Sequence, residues 1–273
     1  MKKKLAILLF CGFALAPFLA RAENPIKILL VPGHDNEIWG AQYGNVKEAA
    51  MNLAIASRIY NILEKDERFD VHITRNLNGY TKEFADYFLA QKEVILAFEQ
   101  NAKKIMQDKV ESGSFIQKEN VVHNKVTGST ALRLYGFNKW ANDNNVDAVI
   151  HVHFNDYPRP SKWTVGKYKG FAIYMPDEQF GNAFGSEQLA TNIFTQLRKK
   201  YLTSTYEKEL GGLVPDQKLI ALGANDTLLS NVRSVLVEYG YIYRFIDSIE
   251  RHKAYDNMAN YTATGIKNYF FPK

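Results

Sequence analysis

The chain has 273 residues, 46% of them hydrophobic, enough for one large α/β domain or one domain carrying an insertion. Its formal charge of +5 includes Lys2, Lys3, Lys4 and Arg21 of an N-terminal leader; without those four, 30 basic residues face 29 acidic ones, which removes the electrostatic case for a nucleic-acid partner. The only cysteine, Cys11, lies in the same leader, so the remainder has no disulfides or thiolate ligands and must hold any metal with His and carboxylate.

Residues 1–22 read as a signal peptide. Lys2 to Lys4 form a positive n-region, Leu5 to Leu19 an apolar stretch interrupted by Pro17, and Ala20-Arg21-Ala22 a small-x-small cleavage site. The apolar stretch is shorter than the about 20 residues a bilayer span needs, and no later segment reaches that length. Bulky Phe10 before Cys11 argues against lipid attachment. The expected product is an exported chain, periplasmic or extracellular, without membrane contact after cleavage.

From Ile26 to Val31 a β-branched apolar run ends at Pro32-Gly33, predicting a buried first strand and then a loop. Val46 to Glu64 predicts a helix, with Ala49, Leu53, Ala56, Ile59, Tyr60 and Leu63 at helical spacing. Val71 to Thr74 is the expected second strand. The pattern then changes from Asn76 to about Thr130. Phe84, Tyr87, Phe88, Gln91, Ile95, Phe98, Ala102 and Ile105 predict one long amphipathic helix, and the polar stretch between Gly113 and Gly128 has the composition of a hairpin. This insertion at about 76–130 is expected to pack on the rim of the fold or to act as a lid, and it offers a surface for a regulatory partner.

Leu132 to Asn144 is the next expected helix, and Val146 to His153 the central buried strand. Phe171 to Met175 predicts a strand, and Ser186 to Tyr201 a helix with a serine capping signal near its start. Leu219 to Leu222 and Val235 to Val237 predict two more buried strands, followed by a helix from about Phe245 to Tyr269. Short apolar strands alternating with amphipathic helices predict a three-layer α/β fold. Its mostly parallel, twisted sheet of about six strands would carry helices on both faces, plus the helical insertion. Open sheets of this kind keep their sites at the carboxyl ends of the strands.

Three loci fall just past predicted strands. The first is Val31-Pro32-Gly33-His34, followed by Gly40-Ala41 and by Glu48 at the opening of the next helix. The second is His151-Val152-His153, where strand alternation puts both imidazoles on one face. The third is Val235-Leu236-Val237-Glu238-Tyr239-Gly240, a carboxylate directly after an apolar run. Singly, each has an ordinary explanation: a turn, a first-turn acid favoured by the helix dipole, paired core histidines, a solvated strand end. Together, two His and a Glu at sheet ends with a spare Glu meet the needs of a catalytic zinc centre. Such a centre takes three protein ligands, an open position for water and a carboxylate to move protons.

These segments resemble the zinc-dependent N-acetylmuramoyl-L-alanine amidases that cut bacterial peptidoglycan. The resemblance lies in Pro32-Gly33-His34 with Gly40-Ala41, Glu48 followed by Asn52-Leu53-Ala54-Ile55-Ala56, Thr74-Arg75, Ala141-Asn142, Val152-His153-Phe154-Asn155 and the run from Val235 to Gly240. It covers nearly all of 23–273 apart from the insertion. It implies a single catalytic domain over those residues, one Zn2+ per chain held by His34, Glu48 and His153, and Glu238 as catalytic acid and base. The implied reaction is hydrolysis of the amide between N-acetylmuramic acid and L-alanine. His151 falls where the family has a small serine, so it is expected beside the site without ligating. Asn155 matches the pattern and is expected to hold the loop after the strand; both are secondary candidates for contact with substrate or ligands.

The chain also departs from the family. Val31 replaces an Asp, Asp35-Asn36 replace Gly-Gly, Ile38-Trp39 replace Asp-Pro, and Arg133 is out of step with the family's arginine before Ala-Asn. These changes touch the groove lip and leave the four functional residues in place. Two other readings fit the same residues: a zinc peptidase of similar fold acting on ordinary peptide bonds, and a non-catalytic peptidoglycan-binding chain.

Overall fold

The structure is a computed structural model that describes residues 24–118, 126 and 128–272. The leader and much of the expected hairpin after Gly113 lie outside the described residues. In chain order the elements begin with β1 (Ile26–Pro32), a small hairpin of β2 (Gln42–Tyr43) and β3 (Val46–Lys47), α1 (Glu48–Leu63) and β4 (Phe69–Ile73). A second hairpin, β5 (Arg75–Asn76) and β6 (Gly79–Tyr80), precedes α2 (Lys82–Ala90), α3 (Lys92–Glu111) and α4 (Gly128–Asp143). Then come β7 (Ala148–Asn155), β8 (Ala172–Pro176), α5 (Ala183–Leu197), β9 (Leu213–Asp216), β10 (Arg233–Tyr241) and α6 (Ser248–Phe270).

Six strands form one sheet in the order β4-β1-β7-β10-β8-β9. The first four are mutually parallel; β8 runs antiparallel to β10, and β9 pairs parallel with β8. The expected mostly parallel sheet is therefore present, with a reversed pair at one edge. Strand alternation divides the interior. Ile28 and Leu30 of β1, Ile150 and Val152 of β7, and Val235 and Val237 of β10 face a core shared with Met51, Ile55 and Ile59 of α1, Ile193 of α5 and Met258 of α6. Leu29, Val31 and Val149 face the other side, against Phe84 of α2 and Phe137 and Trp140 of α4. His151, His153 and Glu238 stand on this second face. No helix among the described residues is long and apolar enough to cross a membrane.

Three expectations need correction. The long helix of the insertion is two: Gln91, at φ −108° and ψ 12°, separates α2 from α3. The break lets Phe84 and Phe88 pack on Phe137, while Ile95 joins a cluster around Tyr135; apolar spacing continues across it, so periodicity could not reveal it. Leu219 to Leu222 is not a strand. Asp216 Oδ1 accepts the N–H groups of Lys218 and Leu219, each at 2.7 Å, ending β9 and turning the apolar run into a 3-10 turn whose Ala221 and Leu222 pack on Tyr174 and Leu236. Ser186 does not cap α5, which starts at Ala183; its Oγ donates to Asn182 O at 2.6 Å and accepts from Ser234 N at 2.9 Å. The last helix begins at Ser248, where Asp247 caps the Glu250 N–H at 2.8 Å.

Candidate metal centre and active site

The site is assembled at the carboxyl ends of β1, β7 and β10. Gly33 N extends the ladder by donating to Val152 O at 2.9 Å, and the chain then turns through His34 at φ 61°. The other non-glycine residues at positive φ among those described are Asn and Asp, which with His are the types most often found in this sparsely populated region. Asp35 fixes the turn from within: its Oδ1 accepts the N–H groups of Glu37 and Ile38, both at 2.8 Å.

Glu48 opens α1. Lys47 provides no side-chain cap, but the loop's own carbonyls take its place: Ala41 O accepts Glu48 N at 2.9 Å and Trp39 O accepts Ala49 N at 3.0 Å. This leaves the Glu48 carboxylate free to turn toward the histidines, at a helix N-terminus that favours negative charge. Its Oε2 lies 3.1 Å from His34 Nε2 and its Oε1 lies 3.0 Å from His153 Nδ1. Ala41 N also donates to Oε2 at 2.8 Å, and Asn52 Nδ2 to Oε1 at 3.1 Å. One donor atom from each of His34, Glu48 and His153 lies within 4.8 Å of the others, close enough to hold a single ion.

Two glycines make room for this cluster. A Cβ on Gly33 would stand 2.1 Å from the His153 ring, and a Cβ on Gly40 would stand 2.3 Å from Glu48 Oε2 and 2.4 Å from the His34 ring. Gly40 also has φ +69°, where a side chain is disfavoured in any case. Underneath, the buried Arg75 ties the two ligand segments together. Its Nη2 donates to Gly33 O at 3.1 Å and to Ala49 O at 2.6 Å, and its Nε to Pro32 O at 3.2 Å.

Glu238 is the register partner of His153 across β10 and β7. The residue is half-buried, and its Oε2 is buried with no hydrogen-bond partner among the described residues. The two carboxyls are driven in opposite directions. Burial would raise Glu48, but the hydrogen bonds and charges of His153 and His34 outweigh it and hold that group well below the usual carboxylate range. Burial raises Glu238 well above its ordinary value, and the negative charges of Glu48 and Glu209 add to the effect.

His151 lies deeper in the fold. It is fully buried, neither ring nitrogen makes a full hydrogen bond, and burial, followed by the charge on His153, pushes it down to about 3, so it stays neutral. It is not among the converging donors. Asn155 does not simply pin its own loop: its Nδ2 donates to Glu209 Oε1 at 2.5 Å. Sequence reasoning does not find Glu209, because it lies in a polar turn with no strand or motif to mark it. Arg133, though out of step with the family's arginine, still reaches the His34 loop. It pairs with Asp35 and lies 3.2 Å from Glu37 Oε2, while Tyr80 OH donates to Asp35 at 3.1 Å. Among the described residues, the insertion meets the His34 loop through Tyr80 of β6, and no residue of α2 or α3 hydrogen-bonds to His34, Glu48, His153 or Glu238.

A cavity of about 400 Å3 is lined by Gln42, Asp156, Tyr157, Pro158, Arg159, Ser161 and Lys162. Two of its lining residues directly follow residues of the site in sequence: Gln42 follows Ala41, which bonds Glu48, and Asp156 follows Asn155. The donors are not part of its lining.

The mostly parallel α/β sheet thus brings two imidazoles and a carboxylate together at its carboxyl edge, where they could hold a metal ion, with the Glu238 carboxyl on the next strand. Comparison with known families is specific: the chain belongs to the N-acetylmuramoyl-L-alanine amidase family, whose profile matches residues 28–268. It is a peptidoglycan amidase, acting on the bond between N-acetylmuramic acid and L-alanine. No curated protein matches the chain.

Solved structures share the fold. An N-acetylmuramoyl-L-alanine amidase from Clostridium difficile 630 is 17% identical over 92% of this chain and 100% of its own, with a TM-score of 0.57. The apo form of Ami1 from Mycobacterium abscessus is 17% identical over 91% of this chain and 100% of its own, also at 0.57. The CwlD amidase from Clostridioides difficile, in complex with the GerS lipoprotein, is 17% identical over 90% of this chain and 98% of its own, at 0.55.

Proposed function

We propose that His34, Glu48 and His153 hold one Zn2+ per chain and that Glu238 is the catalytic acid and base of the amidase reaction. The observation that carries this reading is the meeting of three donor atoms beside Glu238 on the adjoining strand, whose Oε2 is buried with no hydrogen-bond partner among the described residues. The donor set fits zinc: two imidazoles and a carboxylate, with no sulfur. The glycine cradle at Gly33 and Gly40 supports the same reading, because a Cβ at either position would collide with the proposed ligands. When bound, the ion supplies Lewis acidity, making water acidic enough to lose a proton near neutral pH and drawing charge from the scissile carbonyl.

The chain's own groups complete the chemistry. Glu238 takes the proton of the attacking water and delivers it to the L-alanine nitrogen, because an amine anion is a very poor leaving group. Its raised affinity for the proton suits the second half of that task. Ala41 N, Asn52 and the Arg75 framework hold Glu48 in position, so that the donors need little rearrangement.

Digestion of purified peptidoglycan with and without a chelator tests this reading. The expected result is chelator-sensitive release of stem peptides bearing a free L-alanine amine. A different new amine would favour the zinc peptidase, and intact peptidoglycan retained by the protein would favour the non-catalytic binder.

We further infer that residues 1–22 direct export to the periplasm or beyond, and that residues 23–273 form one catalytic domain. The insertion is the proposed surface for a regulatory partner. The CwlD structure contains a lipoprotein partner, and α2 and α3 carry outward apolar side chains at Leu89, Val94 and Ile105.

A further inference from the structure

The buried carboxylate of Glu209 lies outside the proposed metal centre, yet it is built into the same end of the sheet. It is 2% exposed and accepts four hydrogen bonds: Asn155 Nδ2 at 2.5 Å, Tyr174 OH at 2.7 Å, Ser204 Oγ at 2.5 Å and Tyr241 OH at 3.0 Å. The donors come from the end of β7, from β8, from the loop after α5 and from the end of β10. A β-bulge makes this gathering possible. Glu238 pairs with His153, so a regular ladder would set Gly240 opposite Asn155; Tyr241 takes that place instead, and Gly240 at φ +143° absorbs the extra residue.

A carboxylate can only accept, so the bond to Glu209 settles which end of the Asn155 amide points where: Nδ2 faces Glu209, and Oδ1 is the outward atom. Asn155 stands two residues beyond His153, on the same strand face, and is half-exposed. Its Oδ1 accepts no hydrogen bond from the described residues. The result is an oriented acceptor beside the donor cluster, held by a charged anchor that would be costly to bury for scaffolding alone.

We propose that Glu209 is a positioning residue that locks the Asn155 amide with Oδ1 toward the substrate, where it accepts a hydrogen bond from a donor flanking the scissile amide. The donor is a stem-peptide N–H or a sugar hydroxyl. This rests on the amidase reading above, and adds to it a contact, made by Asn155, that orients the substrate. Replacing the carboxylate by an amide lets residue 209 donate to Asn155 Oδ1, turning the amide around and presenting an N–H where an acceptor is needed.

The test is steady-state kinetics on a soluble muramoyl-peptide with N155A, E209Q and the double variant, with bound metal measured in each. Both single variants should raise KM about tenfold with metal content close to wild type, and the double variant should raise KM no further than N155A alone; kcat should stay close to wild type in N155A, whereas E209Q also removes a negative charge that acts on Glu238, so Glu209 is read on KM. E209D, which keeps the charge but withdraws it by one methylene, replaces E209Q if the latter does not fold. A Glu209 effect that persists at full size in the N155A background, or an N155A variant with unchanged KM, overturns the proposal. A depsipeptide analogue lacking the N–H after L-alanine assigns the donor: sensitivity in wild type but not in N155A identifies that N–H, and insensitivity in both identifies a hydroxyl. Failure of the wild type to release the L-alanine amine would instead count against the amidase reading itself.

Discussion

Glu48 and Glu238 are the same residue type at the carboxyl edge of one sheet, the first buried and the second half-buried, and their surroundings make them opposites. Around Glu48 every neighbour donates: two imidazoles, the Ala41 N–H and the Asn52 amide, all at a helix N-terminus. Around Glu238 there is an apolar strand, an unpaired Oε2 and two other carboxylates near enough to oppose its charge. A carboxyl surrounded by donors is fixed as an anion and suits a ligand; one deprived of them exchanges protons and suits an acid or base. The environment, and not the side chain, assigns the role.

That contrast can be broken experimentally, beginning with the largest effect. His34→Ala and His153→Ala should each remove the ion and reduce cleavage to background; stoichiometric metal retained in both, measured by atomic absorption, would end the ligand assignment. Glu238→Gln should leave metal content unchanged while turnover falls by about 10²–10⁴-fold, and full activity would remove Glu238 from the chemistry. Gly40→Ala should push a Cβ into Glu48 and His34, weakening metal affinity on the order of 10–100-fold in a chelator competition while the fold survives by circular dichroism. Arg133→Ala frees Asp35 and Glu37 but leaves the Arg75 framework intact, so affinity should fall by no more than about tenfold; a loss as large as that of Gly40→Ala would make the loop, and not the cradle, the decisive part.

Much of this arrangement is legible in the chain because strands announce themselves. The runs ending at Val31, His153 and Val237 are apolar and short, and the residues at or just past their ends fall at the carboxyl edge where the sheet gathers its strand termini. Glu48 is legible because it opens a strongly periodic helix. The illegible part depends on contacts between segments far apart in sequence. Asp35 and Arg133 are 98 residues apart, and Asn155 and Glu209 are 54 apart; neither pair follows any local period. The apolar run at Leu219 to Leu222 misleads for a related reason, since burial of a turn and burial of a strand select the same side chains. The break at Gln91 is invisible because both helices keep the same apolar spacing on either side of it.

The donors of the proposed centre belong to the loop after β1, the first turn of α1 and the end of β7, and no cysteine follows Cys11. An ion held there would therefore act as a removable cross-link, closing the long chain loop from residue 34 to residue 153 in a protein that has no disulfide to do so. Because only the folded chain brings the three donors together, saturating metal at a hundred times its dissociation constant would add about 2.7 kcal/mol to stability. Metal supply would then govern how long the protein lasts as well as how fast it works.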